Sequence, residues 1–278
     1  MTKAGTREFY DGLRVKAREM RIEMLRVHRC APQTRLASSL SDVEIFVALY
    51  HGGLIRIDPK EPRREDRDRF IISKGHGAIS MYPVLADLGF IERGELDRVC
   101  GADSFLGAIP DTLVPGFETI NGSLGHGPGV ACGVAMGLRL KGSDSTVFCL
   151  TGDGELYEGS VWEAVMFAGE HRLDNLVLIV DNNKACMLDF CRNILNLEPL
   201  EEKFAVHRWS PHRVDGHDVE NVHKELMRLK EDRSGRPKVL IADTVKGKGV
   251  PSLENDPLSH IRVVSASELD ALIREMES

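Results

Sequence analysis

The chain has 278 residues, a formal net charge of −7 and 42% apolar residues. That length holds one large α/β domain or two small ones, and the apolar share supplies a sizeable core. The acidic balance argues against a general nucleic-acid binder, and the absence of an 18-residue apolar run argues against a membrane-spanning helix.

Met1 to Gly5 lead into a charged helix rather than the apolar core of a secretion signal. That helix is predicted over 6–29, with Leu13, Ala17, Ile22 and Leu25 among its apolar positions. Ser41 and Asp42 are expected to cap a second helix, Val43–Tyr50. Residues 59–69 mix both charge signs and read as a solvated loop. Arg69 to Ser73 form a buried strand, and 78–88 a helix. Residues 101–121 are rich in Gly, Pro and Asp; a loop that long inside a compact domain is usually functional. Gly129–Leu140 is a helix of small residues.

Residues 145–150 and 175–180 are apolar β-type runs, and Ala164, Val165, Phe167 and Ala168 between them give a helical patch, here placed in a helix over 158–171. This is a βαβ unit whose two strand ends lie side by side. Asp153 follows the first strand and Asn183 the second, so a carboxylate and an amide oxygen face one divalent ion. Mg²⁺ takes hard oxygen ligands from protein, phosphate and water. Gly152 and Gly154 let the backbone approach a diphosphate, which would also meet the Gly154 and Glu155 amides near a helix N-terminus. A second loop follows over 184–203, then a buried strand, 237–243, and a final amphipathic helix, 266–276. Strands alternating with helices imply a mainly parallel sheet covered on both faces. Its ligands should lie at the strand ends. Six cysteines, at 30, 100, 132, 149, 186 and 191, form no Cys-x-x-Cys pair, which suits buried, reduced thiols in the cytoplasm. Cys186 reads as a packed small hydrophobe.

The Asp153…Asn183 pairing resembles the thiamine diphosphate motif. Five segments narrow the match: Ser73–Gly77, Gly122–Gly127, Gly152–Gly159, Val214–Asp218 and Thr244–Gly249. Their order resembles the N-terminal, diphosphate-binding half of transketolase, from about residue 10 to about residue 260. The resemblance implies that family's α/β diphosphate-binding fold over 1–278, as one domain, with thiamine diphosphate and Mg²⁺ (or Ca²⁺ or Mn²⁺) as cofactors. It assigns the metal to Asp153, Asn183 and the main-chain oxygen of Ala185. The cofactor falls to Lys74, His76, Gly122, Ser123, Leu124, Gly154, Glu155, Asn183, Lys246 and His260. His76 and His260 take catalytic roles, and Glu158 reaches across the interface towards the partner's cofactor-activating acid. His217 is read as structural, and His126, where the family usually has Gln, receives no role.

Two family histidines that bind donor-ketose hydroxyls become Arg35 and Ile109. Isoleucine forms no hydrogen bond, and arginine keeps a fixed charge near neutral pH. The donor is therefore expected to differ from the standard ketose phosphates, with Arg35 open to a carboxylate or phosphate. No segment matches the pyrimidine-binding half of the family. The implied protein is the diphosphate-binding subunit of a split, transketolase-like enzyme. The resemblance then calls for a separate chain that supplies the activating glutamate, in an α2β2 assembly. Such an assembly passes a two-carbon unit from a ketone donor to an aldehyde. The alternatives are the α-subunit of a 2-oxoacid decarboxylase or dehydrogenase, or a non-catalytic scaffold.

Overall fold

A computed structural model describes residues 5–120 and 122–278; the N-terminal reading of Met1 to Ala4 lies outside the described residues. Five strands form one wholly parallel sheet in the order β1-β2-β3-β5-β4. They are β1 (Arg69–Ile72), β2 (Val147–Gly152), β3 (Leu176–Asn182), β4 (Ser210–Asp215) and β5 (Lys238–Asp243). Alternate residues of the inner strands serve opposite faces. Phe148, Leu150, Val177, Ile179 and Leu240 enter one core. Val147, Cys149, Leu176, Leu178, Val180 and Ile241 enter the other. A strand buried on both faces must be apolar at every position, which is why these runs are continuous rather than alternating.

The first face is covered by α1 (Arg7–Cys30), α2 (Leu36–Leu40), α3 (Val43–Phe46), α4 (Met81–Asp87), α9 (Val219–Glu231) and α10 (Ala266–Glu277). The second is covered by α5 (Gly127–Leu140), α6 (Gly159–Glu170) and α8 (Leu200–Val206). Among the described residues, no helix is long and apolar enough to cross a membrane.

The helix after Asp42 exists, but its start is built differently from the expectation. It runs from α3 into a π-helical turn, Val47–His51, and neither Ser41 nor Asp42 caps it with a side-chain hydrogen bond. Both side chains are drawn towards the strand ends instead. A 3₁₀ turn, Gly75–Ser80, replaces the expected first turn of 78–88. Phe167 is exposed, whereas Ala164, Val165 and Ala168 are buried as predicted. The 184–203 segment is not wholly loop: α7 (Cys191–Ile194) and the start of α8 lie within it. Of the six unpaired cysteines only Cys132 and Cys149 are buried.

No element is predicted between 204 and 236, where β4 and α9 lie, although Val219, Val222, Leu226 and Leu229 recur at helical spacing behind an Asp218 N-cap. β4 is a half-buried edge strand, Ser210-Pro211-His212-Arg213-Val214-Asp215, with no apolar run to mark it. Proline is tolerated there because an edge strand has one side free of ladder bonds.

Candidate active site

The strands all point one way, so their C-terminal ends gather on one side of the sheet. β1 delivers Ser73 and Lys74, β2 delivers Asp153, β3 delivers Asn183, and β5 delivers Thr244 and Lys246. A cavity of about 450 Å³ opens there. Its walls include Ser38, Lys74, His76, Leu124, Asp153 and Gly154, and, across from them, Glu155, Asn183, Ala185, Lys246 and His260. All but Ser38 are residues predicted for metal, cofactor or catalysis, and the fold brings them together.

Beneath the cavity lies a buried charge network. Asp181 Oδ2 accepts from Ser41 Oγ at 2.7 Å, from Asn183 Nδ2 at 2.8 Å and from the Lys74 ammonium; Oδ1 accepts from Thr244 Oγ1. Lys74 Nζ also donates to Ser38 O at 3.0 Å and sits 2.9 Å from Asp42 Oδ2. Beyond that ion pair, Asp42 Oδ1 has no hydrogen-bond partner among the described residues. One ammonium therefore serves two carboxylates unequally. Burial pushes the Asp42 carboxyl up to about 7, with Asp181 adding to the rise against Lys74. Asp181, equally buried, stays below the usual range because Lys74, Thr244 and Ser41 all favour its charge. Burial pulls Lys74 down, but Asp181 and Asp42 outweigh it and hold the ammonium protonated.

Lys74 lines the cavity, and its ammonium is at the same time paired with the two carboxylates of this network. Lys74→Met is expected to destabilise the chain by ~3–5 kcal/mol, the usual cost of breaking a buried pair from one side. For a chain of this size that is roughly a 10 °C fall in thermal unfolding midpoint. An unchanged midpoint by circular dichroism would show that Asp42 and Asp181 do not depend on the lysine.

The predicted metal ligands Asp153, Asn183 and Ala185 line one cavity. Asp153 Oδ1 accepts from Gly154 N at 2.7 Å and Oδ2 from Lys184 N. These bonds cap the 3₁₀ turn Gly154–Tyr157 rather than α6, and they tie the β2 end to the β3 end. Asn183 is oriented by its neighbours. Its Nδ2 is held by the acceptor-only Asp181 carboxylate, so Oδ1 must face the other way, where Ala185 N donates to it at 3.2 Å. Burial, with the nearby Asp181 charge, pushes the Asp153 carboxyl up to about 7. A buried carboxylate with no salt bridge among the described residues, lining one cavity with an amide and a carbonyl group, fits a divalent cation. Among the described residues no cluster of three His, Cys, Asp or Glu side chains offers an alternative.

Lys246 Nζ donates to Ala185 O at 2.8 Å and Cys186 O at 3.0 Å. Burial lowers its affinity for a proton, partly opposed by Asp153. His76 and His260 meet edge to face with ring centroids 5.0 Å apart. Burial takes His76 down to about 3, helped by His260, Lys74, Lys246 and Arg35. It takes His260 down to about 4, helped by Lys246, Arg35 and Lys74. Both rings are therefore neutral at pH 7 and can accept a hydrogen bond. Ser38, which no sequence pattern singles out, contacts His260 Nδ1 through Oγ at 3.2 Å. Only the fold brings α2 against the loop after β5.

Gly154 packs closely, since a Cβ there would meet Cys186 Cβ at 3.1 Å and the Cys186 loop would have to give slightly; at Gly152 the nearest atom, Lys74 Cδ, would be 3.7 Å away, an ordinary contact. Glu155 contributes more than a backbone amide. Its buried carboxylate accepts from Ser73 Oγ, from Gly125 N at 2.8 Å and from Gly152 N at 3.3 Å, joining three site segments. Leu124 lines the cavity, whereas Gly122 and Ser123 lie outside its wall. His126 Nδ1 faces Ser123 O and Leu124 O at 3.3 and 3.1 Å, which gives it a turn-holding role. Cys186 is half-buried and donates to Asp189 O at 3.1 Å, so it braces its loop rather than packing as a hydrophobe.

His217 is structural. Its Nε2 accepts from Val245 N at 2.8 Å, so Nδ1 carries the proton and faces Glu44 Oε2 at 3.0 Å. Glu158 is exposed at the start of α6 and does not line the cavity. Arg35 is half-buried, close enough to His76 and His260 for its charge to lower both. Ile109 is 44% exposed on the 101–120 loop and lies beside Gly122. Neither Arg35 nor Ile109 is part of the cavity wall itself.

Residues 37–276 match the family model described as transketolase, thiamine diphosphate binding domain. A putative uncharacterised transketolase family protein of Sinorhizobium fredii is 38% identical over 265 residues, covering 95% of this chain and 94% of that one. A chain of Actinobacillus succinogenes, named as one subunit of an apulose-4-phosphate transketolase, is 36% identical over 270 residues, covering 96% and 97%. The crystal structure of Campylobacter jejuni transketolase superposes with a TM-score of 0.86 at 28% identity, over 95% of this chain and 42% of that one. A transketolase match along this length displaces the 2-oxoacid dehydrogenase alternative. The chain belongs to the transketolase family, of which it carries the thiamine diphosphate-binding domain.

Proposed function

We propose that the chain is the diphosphate-binding subunit of a two-chain transketolase, active with a partner that completes the cofactor site. The observation that carries this reading is the near end-to-end match to a relative that is itself named as one subunit of a transketolase. Met187, Leu188 and Ile194 add support: these apolar side chains line the cavity yet are more than half exposed. Such a surface suits burial by another protein. Glu158, exposed, is available to reach towards the partner's activating acid. An α2β2 assembly is the stoichiometry proposed, and the unpaired cysteines suit a reducing, cytoplasmic setting.

Asp153, Asn183 and the Ala185 carbonyl would hold Mg²⁺; Lys246 and the Gly154 and Glu155 amides would hold the diphosphate. When bound, thiamine diphosphate supplies the nucleophilic carbon and electron sink for C–C cleavage. The neutral His76 and His260 are placed to hydrogen-bond substrate hydroxyls. Leu124 contributes an apolar wall. The reaction is transfer of a two-carbon unit from a ketone donor to an aldehyde. Arg35 and Ile109 point to a donor other than the common ketose phosphates, and the apulose-4-phosphate relative puts that compound first in a screen.

The test is to purify the tagged chain from native lysate with Mg²⁺ and thiamine diphosphate, then assay donors with and without the co-purifying chain. Turnover only with a partner related to the rest of transketolase is expected. Turnover by this chain alone, or no cofactor binding in either form, would overturn the two-chain reading.

A further inference from the structure

Lys246 and the proposed metal would share an oxygen. Ala185 O accepts from Lys246 Nζ at 2.8 Å, and the same oxygen is assigned above, with Asp153 and Asn183, to the proposed divalent cation. A magnesium–oxygen bond is about 2.1 Å, so two cations on that oxygen would lie within about 5 Å of each other. The site is buried, so solvent does little to screen them. Lys246 is held there by carbonyls alone, Ala185 O and Cys186 O; no carboxylate forms a salt bridge with it among the described residues. Its second carbonyl, Cys186 O, lets it give up Ala185 O without losing every acceptor. It lines the same cavity as Gly154 and Glu155, where the diphosphate amides lie.

We propose that Lys246 couples metal binding to diphosphate binding: it opposes the metal at Ala185 O when no anion is present, and turns to the diphosphate when both ligands bind. This rests on the metal and diphosphate sites proposed above. Its consequence is order and selectivity. A bare divalent ion meets a competing ammonium, whereas an ion arriving with a diphosphate brings the anion that reconciles the two charges. The site therefore favours the metal–diphosphate pair over free metal.

The experiment measures Mn²⁺ binding to the full chain by electron paramagnetic resonance, with and without inorganic pyrophosphate. The variants are Lys246→Met, Lys246→Arg and Asp153→Asn. Lys246→Met should bind Mn²⁺ alone at least about 5-fold more tightly than the parent. Pyrophosphate should tighten Mn²⁺ binding by a factor about 10-fold smaller in that variant than in the parent, a coupling within the usual range. Lys246→Arg, which keeps the charge, should retain the parent's coupling and shows that the effect is not lost packing. Mn²⁺ alone binding Lys246→Met no more tightly than the parent, or equal coupling in the two, overturns the proposal. Unchanged Mn²⁺ binding in Asp153→Asn would instead overturn the metal site itself, so the two failures are distinguishable.

Discussion

Asp153→Asn is expected to lower divalent-metal affinity by at least about 100-fold, since even partners of a metal ligand typically cost 10–100-fold. Transketolase activity at fixed cofactor should fall with it. Folding should barely change. The carboxylate is buried near Asp181, and burial with that neighbouring charge already disfavours its ionised form. Removing the charge relieves that cost, and the amide loses at most one of the two bonds to Gly154 N and Lys184 N, worth about 1 kcal/mol. The unfolding midpoint should therefore stay within a few degrees while metal binding, read by Mn²⁺ titration, collapses. A variant that unfolds in parallel with its loss of metal would make Asp153 a structural cap first and a ligand second.

The second large effect is expected at Arg35 and Ile109. Histidine at both positions, Arg35→His with Ile109→His, should shift kcat/KM towards standard ketose phosphates, relative to the native donor, on the order of 10- to 100-fold. The physical reason is that sites built to bond a hydroxyl discriminate strongly against its absence. Ile109 offers no such bond, and Arg35 presents a permanent charge close to the neutral His76 and His260. Arg35→Leu separates the two contributions, because it removes the charge without supplying a hydrogen-bonding ring. The readout is kcat/KM for each donor in the two-chain enzyme. An unchanged donor ranking in the double variant would remove these positions from substrate selection.

The sequence by itself determined the sheet and the cofactor class. Strands buried on both faces write continuous apolar runs, so β1, β2, β3 and β5 are legible. Asp153 and Asn183 are legible because each directly follows such a strand, and parallel strands bring their ends together. β4 is not: like β1 it lies at an edge of the sheet, but its residues are half-buried and mostly polar, so no apolar run marks it. What only the tertiary structure decided is how charges are shared across distant segments. Lys74 reads from the sequence as a cofactor residue, and only the fold shows Asp42 and Asp181, 32 residues before it and 107 after, paired with its ammonium. Ser41 and Asp42 read as a helix cap until the same network draws both side chains to the strand ends. Ser38 reaches His260 across 222 residues, and Lys246 reaches the Ala185 carbonyl across 61. Local patterns encode burial and turn geometry within a few residues. Which donor satisfies which buried acceptor depends on loops meeting above the sheet, and no spacing in the chain records that.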